Sequence, residues 1–482
     1  MSVFQAFTGP SYTSQSVIGD SQRTVNWYTE ILESQQGKNP RYALYPVPGV
    51  SVFSELPVGP IRGMHEINGR VFVVAATRLF EILDTGGYIE RGSGMASDPN
   101  PATLCSNGDA GDQLFITSGG SGYLFNLTSS VFSGVLTGVT MGAFLDGYFL
   151  ALDATTSTLK WSALEDGTSW DGTDVAQRNT GADRWIAMIV SDRLIHLFGN
   201  RTSETWYDSG GSPNPFEAIQ EGFRQVGIID SFGGCDAEGA PVFVGQSAAG
   251  RGVVYRKQGY DVARISNHAV EHAIQGYATV SDVVSYPYQD QGHIFTVLSF
   301  PTARATWVYD SATQDWHERG YWNAPLMRYE ASRQLWHVYA FNRHLVGDRD
   351  GSNIYTQSIT TYRDVGNVAI RRLRRAPHLN RKNRFLTFNQ FTLDLETGVG
   401  LVSGLGVDPQ LILRWSDDGG RTWGNDHQVS AGKIGEYSQR AVWRRLGRAR
   451  DRVFELVCTD PVPWRIINAY LDASGAREER VA

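Results

Sequence analysis

Cysteine is scarce in this chain: Cys105, Cys235 and Cys458 are the only three in 482 residues, and they lie too far apart to form a CxxC pair or a disulfide framework. Buried free thiols in a reducing compartment are expected. Long apolar runs are missing too. Nowhere do about 18 apolar residues follow one another, the length a spanning helix needs, so no membrane insertion is expected. The opening residues Met1-Ser2-Val3-Phe4-Gln5 carry no basic stretch leading into an apolar run, which predicts no secretory leader. Charge of either sign is modest: 43 Lys and Arg against 50 Asp and Glu leave −7, which excludes nucleic-acid binding through the whole surface and makes any basic function local. The P-loop, a G-x-G-x-x-G following a strand and the G-x-S-x-G elbow are absent, and with them the usual marks of nucleotide sites and serine hydrolases.

Glycine and aromatics are plentiful, with 52 glycines and 12% Phe, Trp and Tyr, a mixture that favours strands and tight turns. Short apolar strands recur behind turn residues. Asn68-Gly69-Arg70 precedes Val71–Val74, Gly111-Asp112 precedes Leu114–Ile116, and Asp146-Gly147 precedes Tyr148–Leu150. Ser191-Asp192-Arg193, Gly239-Ala240-Pro241, Gln291-Gly292 and Asn342-Arg343 introduce four more. The starts lie about 35–52 residues apart, close to one four-stranded blade, and predict an all-β chain with a β-propeller of six or seven blades over residues 61–370. Residues 1–60, with the Pro-rich Tyr45–Gly49, read as an extended N-terminal arm. Residues 371–482 read as an Arg-rich C-terminal β module or the closing blade.

Three motifs carry candidate chemistry. Ser416, Asp418, Gly420, Thr422 and Trp423 fit the Asp-box S-x-D-x-G-x-T-W, in which Asp accepts backbone N–H groups, Gly supplies a positive φ and Trp packs beneath. It is a turn staple, not a catalytic device. Its occurrence in sialidases still keeps a sialidase-like or carbohydrate-binding propeller as the alternative function. His268-Ala269-Val270-Glu271-His272 matches the H-x-x-E-H string of inverted zinc peptidases, but it follows a strand-like segment and is cut short by Gly276, so it reads as a chance match and no metal site is expected. Arg371, Arg372, Arg374, Arg375, Arg381, Lys382 and Arg384 put seven basic residues and no acid into 14 positions. Arg440, Arg444, Arg445, Arg448, Arg450 and Arg452 form a second cluster. Both are expected to make partner or intersubunit contacts, since Arg is enriched at interface cores and the rest of the chain is acidic enough to complement it; direct DNA contact is the other reading.

The string Arg23-Thr24-Val25-Asn26-Trp27-Tyr28, followed by Tyr42-Ala43-Leu44-Tyr45-Pro46-Val47-Pro48-Gly49, resembles the packaged-DNA stabilisation proteins of short-tailed bacteriophages, also called tail hub or nozzle proteins. Ile61–Met64, Trp161–Trp170, Val254–Ser266, Trp415–Trp423 and Asn468–Tyr470 extend the resemblance over nearly the whole chain. It implies a virion protein of the phage tail, made in the bacterial host cytoplasm, that forms a homohexameric ring beneath the portal and head-tail adaptor. Tail spikes or fibres and a needle or plug protein would attach to it, and double-stranded DNA would pass through. The resemblance implies no catalytic residue and no cofactor, and the residues themselves supply neither.

Overall fold

The computed structural model describes residues 2–4, 6–33, 41–108, 111–178, 181 and 183–475. Among these, seven sheets follow one another around an axis. Their inner strands are Ile61–Ile67, Thr103–Ser106, Met141–Leu145, Trp185–Ser191, Gly234–Ala237, Val284–Asp290 and Gln334–Ala340. Each touches the next, and the last touches the first, so the propeller has seven blades. The turn signals of the sequence fall on one recurring place, the hairpin between the inner and second strands. Asn68-Gly69, Asp146-Gly147, Glu238-Gly239 and Gln291-Gly292 all hold two successive positive φ values there, as a two-residue hairpin with right-handed twist requires. The second strands, such as Arg70–Ala75, Gln113–Ser118 and Tyr148–Asp153, are buried along almost their whole length because a neighbouring blade covers each face. That double cover is why they read as continuous apolar runs rather than alternating ones.

The first 60 residues are extended but are not a free arm. Gly49–Glu55 adds the outermost strand to blade 7, pairing with Asn353–Ser358, and so closes the ring. The Pro-rich Tyr45–Gly49 carries the chain from there to a second domain. Ser21–Val25, Trp27–Leu32 and Arg41–Pro46 are strands of that domain, and Trp27 and Leu44 are fully buried in its core. Residues 34–40, part of the expected arm, lie outside the described residues.

Beyond residue 370 the chain forms the expected C-terminal β module and not a closing blade. It builds a β-sandwich jointly with the N-terminal strands. One sheet runs Trp27–Leu32, Arg41–Pro46, Ile466–Gly475, Leu386–Leu395, Ala441–Arg444; the other runs Ser21–Val25, Arg372–Arg375, Asp451–Cys458, Gln410–Ser416, His427–Ser430. Phe4 and Phe7 insert from the N-terminal segment between them, with Phe7 5.5 Å from Phe391 and Phe391 5.3 Å from Phe454 between ring centres. Trp27 donates its indole N–H to the Trp464 carbonyl at 2.9 Å, and the two fully buried rings fill the layer between the sheets. The second sheet is also continuous with blade 6, because Val25 pairs in parallel with Glu318. Propeller and sandwich are thus joined by backbone hydrogen bonding and not by a linker. The last segment of the expected C-terminal module, residues 476–482, lies outside the described residues.

A histidine locks the same junction. His293 in blade 6 sits 2.7 Å from Asp310, 1% exposed, and 3.0 Å from Glu30 on the sandwich strand. Burial among Tyr28, Phe295 and the neutral His317 pushes the imidazole down, yet the two carboxylates outweigh burial and hold it up at about 9. Because the folded value lies above the unfolded one of about 6.5, the stabilisation is complete below that pH and is lost as pH rises through about 9. Urea unfolding at pH 6 and pH 10 is expected to differ by on the order of 2 kcal/mol from this group, and His293→Gln removes the difference.

Candidate interaction surfaces

The residues of the basic run beginning at Arg371 meet different fates, set by what packs over each. Arg372–Arg375 is an inner strand of the sandwich, paired on one side with Arg23–Val25 and on the other with Glu455–Cys458. Arg372 and Arg374 are 0% exposed, so the expectation that these two make partner or intersubunit contacts is corrected, whereas Arg375 is only half-buried. Arg374 donates to the carbonyls of Ala6, Phe7 and Pro10, to Thr24 Oγ1 and to Gln22 Oε1; burial lowers its guanidinium to about 9. It is the peg that holds the N-terminal segment. Arg372 donates to the Ile370 carbonyl, with Nε and Nη2 unpartnered, and burial lowers it to about 10. Arg375 shares the fully buried Glu455 with Arg414, at 2.9 and 2.8 Å. Arg371 lies 4.1 Å above the Trp322 ring and braces blade 6.

The Asp-box forms the hairpin after Gln410–Ser416. Asp418 accepts from Ser416 Oγ at 2.6 Å, from the Arg421 and Thr422 amides at 2.9 Å and from Thr422 Oγ1 at 2.6 Å; the hydroxyls and amides hold its carboxylate far below the usual range. Gly419 and Gly420 supply φ of +77° and +93°. Trp423 does not sink into the apolar core: the guanidinium groups of Arg375 and Arg414 lie 4.6 and 5.2 Å from its ring centre, so the box is stapled to the buried Glu455 pair. In the H-x-x-E-H string, Glu271 is occupied by Arg264 Nε at 2.6 Å and Ser266 Oγ at 2.7 Å. Among the described residues no group of three His, Cys, Asp or Glu could hold a metal.

The other basic residues of the two clusters, apart from Arg440 and the buried Arg452, gather at one end of the sandwich. Leu386 pairs there with Gly475 and Ala449, bringing the turns at 381–384 and 445–450 together beside the Asp-box hairpin. Arg381, Lys382, Arg384, Arg421, Arg445, Arg448 and Arg450 are exposed on these turns, and Arg444 is exposed on the adjoining edge strand. Arg448 and Arg450 stand over the exposed Phe385 ring, at 4.3 and 4.7 Å. The acids nearby are partly spent, Asp417 on Arg452 and Asp451 on His378. The other end differs: Val402, Leu405, Ile434 and Tyr437, 56–85% exposed, project from two loops tied by the bond from Gly435 to the Gly398 carbonyl. Sequence reasoning missed this apolar end, because its four residues come from two loops about 30 residues apart in the chain that only the folded sandwich brings together.

The arrangement of a seven-bladed propeller followed by a sandwich agrees with two family profiles, bacteriophage P22 Gp10, beta-propeller, over residues 22–362, and bacteriophage P22 Gp10, beta-sandwich, over residues 371–474. The chain belongs to the bacteriophage P22 Gp10 family. It is therefore a phage structural protein of the packaged-DNA stabilisation type, as the ordered resemblance at both ends implies. No curated protein matches the chain. Among solved structures it is similar to the N-terminal domain of Nup159, at 9% identity and a TM-score of 0.40, covering 65% of this chain and 95% of that one. It is also similar to a chain of the mitotic checkpoint complex, at 10% identity and a TM-score of 0.39, covering 67% and 97%. Likeness of that extent says nothing of this chain's role. The Gp10 sandwich profile begins at Arg371, where the basic run starts, but the structure adds N-terminal strands that lie before either profile or inside the propeller's.

Proposed function

We propose that the chain is a wall segment of a phage tail: copies of it form a homohexameric ring below the portal and head-tail adaptor, extend the DNA channel and hold the packaged DNA. Tail spike or fibre and needle or plug proteins attach to the same ring. The observation that carries this reading is that both halves of the chain match the P22 Gp10 family. The fold suits the load, since the propeller is hydrogen-bonded directly to the sandwich where Val25 pairs with Glu318. The exposed basic end serves contacts with acidic protein surfaces in this reading, not the lumen, because phosphate pairing along a channel wall would slow DNA passage.

Two experiments test it. Particles made without the protein are expected to fill with DNA and then lose it, and added protein to restore retention; particles that keep their DNA without it contradict the reading. Lys382→Glu with Arg445→Glu, both exposed, is expected to shift stability by no more than about 0.5 kcal/mol while weakening ring assembly on the adaptor at least tenfold, measured by sedimentation.

A further inference from the structure

The end of the sandwich opposite the basic turns is a formed apolar tip. Its first loop joins Leu386–Leu395 to Gln410–Ser416, and its second joins His427–Ser430 to Ala441–Arg444. Residues 398–407 of the first loop read Gly-Val-Gly-Leu-Val-Ser-Gly-Leu-Gly-Val, ten residues with no charge and a single hydroxyl. The glycines lie where the two loops touch. A Cβ at Gly398 would stand 2.7 Å from the Tyr437 ring and 3.0 Å from its amide nitrogen; one at Gly400 would stand 2.8 Å from the Val407 carbonyl oxygen and 3.0 Å from the Ile434 nitrogen. Backbone therefore rests on backbone. The Leu401 amide donates to the Gly406 carbonyl at 2.7 Å, Gly435 to Gly398 at 3.1 Å and Glu436 to Lys433 at 3.0 Å, while Thr397 Oγ1 donates to the Tyr437 carbonyl at 2.9 Å. The loops satisfy these polar groups among themselves and hold Val402, Leu405, Ile434 and Tyr437 outward, 56–85% exposed.

Charge and shape select the partner. Glu396 pairs with Arg465 at 2.6 Å, and Asp408 and Glu436 stand against Lys433 and Arg440, so the tip has no excess of either sign to attract nucleic acid or a strongly charged protein. The four side chains stand on convex loops, so a protein partner would need a matching hole for each. A fluid lipid leaflet closes around any convex apolar tip. Irregular backbone does not enter hydrocarbon, which limits the depth to the boundary of headgroups and acyl chains, about 5–10 Å, where a tyrosine with an apolar ring and a polar hydroxyl is at home.

We infer that this end of the sandwich docks on a membrane, Val402, Leu405 and Ile434 entering the upper acyl layer and Tyr437 lying at headgroup level. The contact rests on the leaflet and does not span it. Because the tip is electrically balanced, apolar burial drives the docking, and neutral lipid suffices. This surface goes beyond the tail role and stands without ring assembly.

The test floats the full chain with vesicles of phosphatidylcholine alone and of phosphatidylcholine with phosphatidylglycerol, at low and high salt. The chain is expected to rise with both, and salt to change little. Val402→Asp with Ile434→Asp, both exposed, should weaken binding at least tenfold with an unchanged melting curve, whereas Lys382→Glu with Arg445→Glu at the basic end should leave it as it was. In Tyr437→Trp the added emission should shift to the blue with vesicles and be quenched more by lipid brominated near the headgroup than near the chain end. No flotation with neutral vesicles, indifference to the two aspartates, or an unshifted Tyr437→Trp overturns the inference. Binding confined to anionic vesicles and lost in salt or with Lys382→Glu and Arg445→Glu also overturns it, since the basic end would then be the lipid contact.

Discussion

Removing residues 1–56 is expected to abolish cooperative folding of the whole chain. The truncation takes Gly49–Glu55 from blade 7 and Ser21–Val25, Trp27–Leu32 and Arg41–Pro46 from both sheets of the sandwich. Blade 7 then exposes the hydrogen-bonding edge of Asn353–Ser358 and the apolar contacts of Val50 with Val346, Tyr355 and Val365, and the ring is open. Trp27 and Leu44 leave the sandwich core at the same time, where loss of a buried Trp alone costs about 3–5 kcal/mol. Several such losses exceed the ~5–15 kcal/mol that holds a domain together. Gel filtration and thermal melting of residues 57–482 should show aggregated material without a sharp transition. A soluble chain melting as the intact one does would mean that the N-terminal strands only decorate the two domains.

The second large effect is expected from Arg374→Met. The substitution fills much of the same space and removes a costly buried charge, but it strands the carbonyls of Ala6, Phe7 and Pro10 with no donor. Orphaning the buried Phe7 carbonyl costs about 1–3 kcal/mol and the part-buried Ala6 and Pro10 carbonyls add less, against a smaller gain from losing the charge. A net loss of on the order of 3 kcal/mol is expected in urea unfolding, with amide exchange around residues 6–13 rising most. Arg374→Lys rescues little, because one ammonium cannot reach acceptors spread over the whole guanidinium fork. By contrast, the exposed Lys382 and Arg445 tolerate change, although sequence places Lys382 in the same run. An Arg374 variant as stable as the parent would show that the N-terminal segment is held by Phe4 and Phe7 alone.

That contrast marks what could be read in advance. The seven second strands were legible because cover on both faces gives unbroken apolar runs, and the hairpins before them need residues that accept positive φ. Ring closure was not legible. Gly49–Glu55 has the mixed burial of an outer strand, and its partner lies some 300 residues on, so nothing local announces the pairing. The arginine run was legible as a concentration of charge, but not in its fates: Arg372 and Arg374 are covered because neighbouring strands and the N-terminal segment enclose them, a property of the assembled sheets. The Asp-box was legible as a turn, since its bonds are local, whereas one of the two arginines over Trp423, Arg375, comes from a distant strand.

The most direct measurement of the central claim is electron cryomicroscopy of this protein mixed with the head-tail adaptor and portal of its own phage. The account predicts a six-fold ring stacked coaxially below the adaptor, continuing its channel, with the basic ends of the sandwiches against neighbouring protein. Monomers that ignore the adaptor, or a ring whose bore is closed or lined by Arg381, Lys382, Arg445 and Arg448, would contradict it.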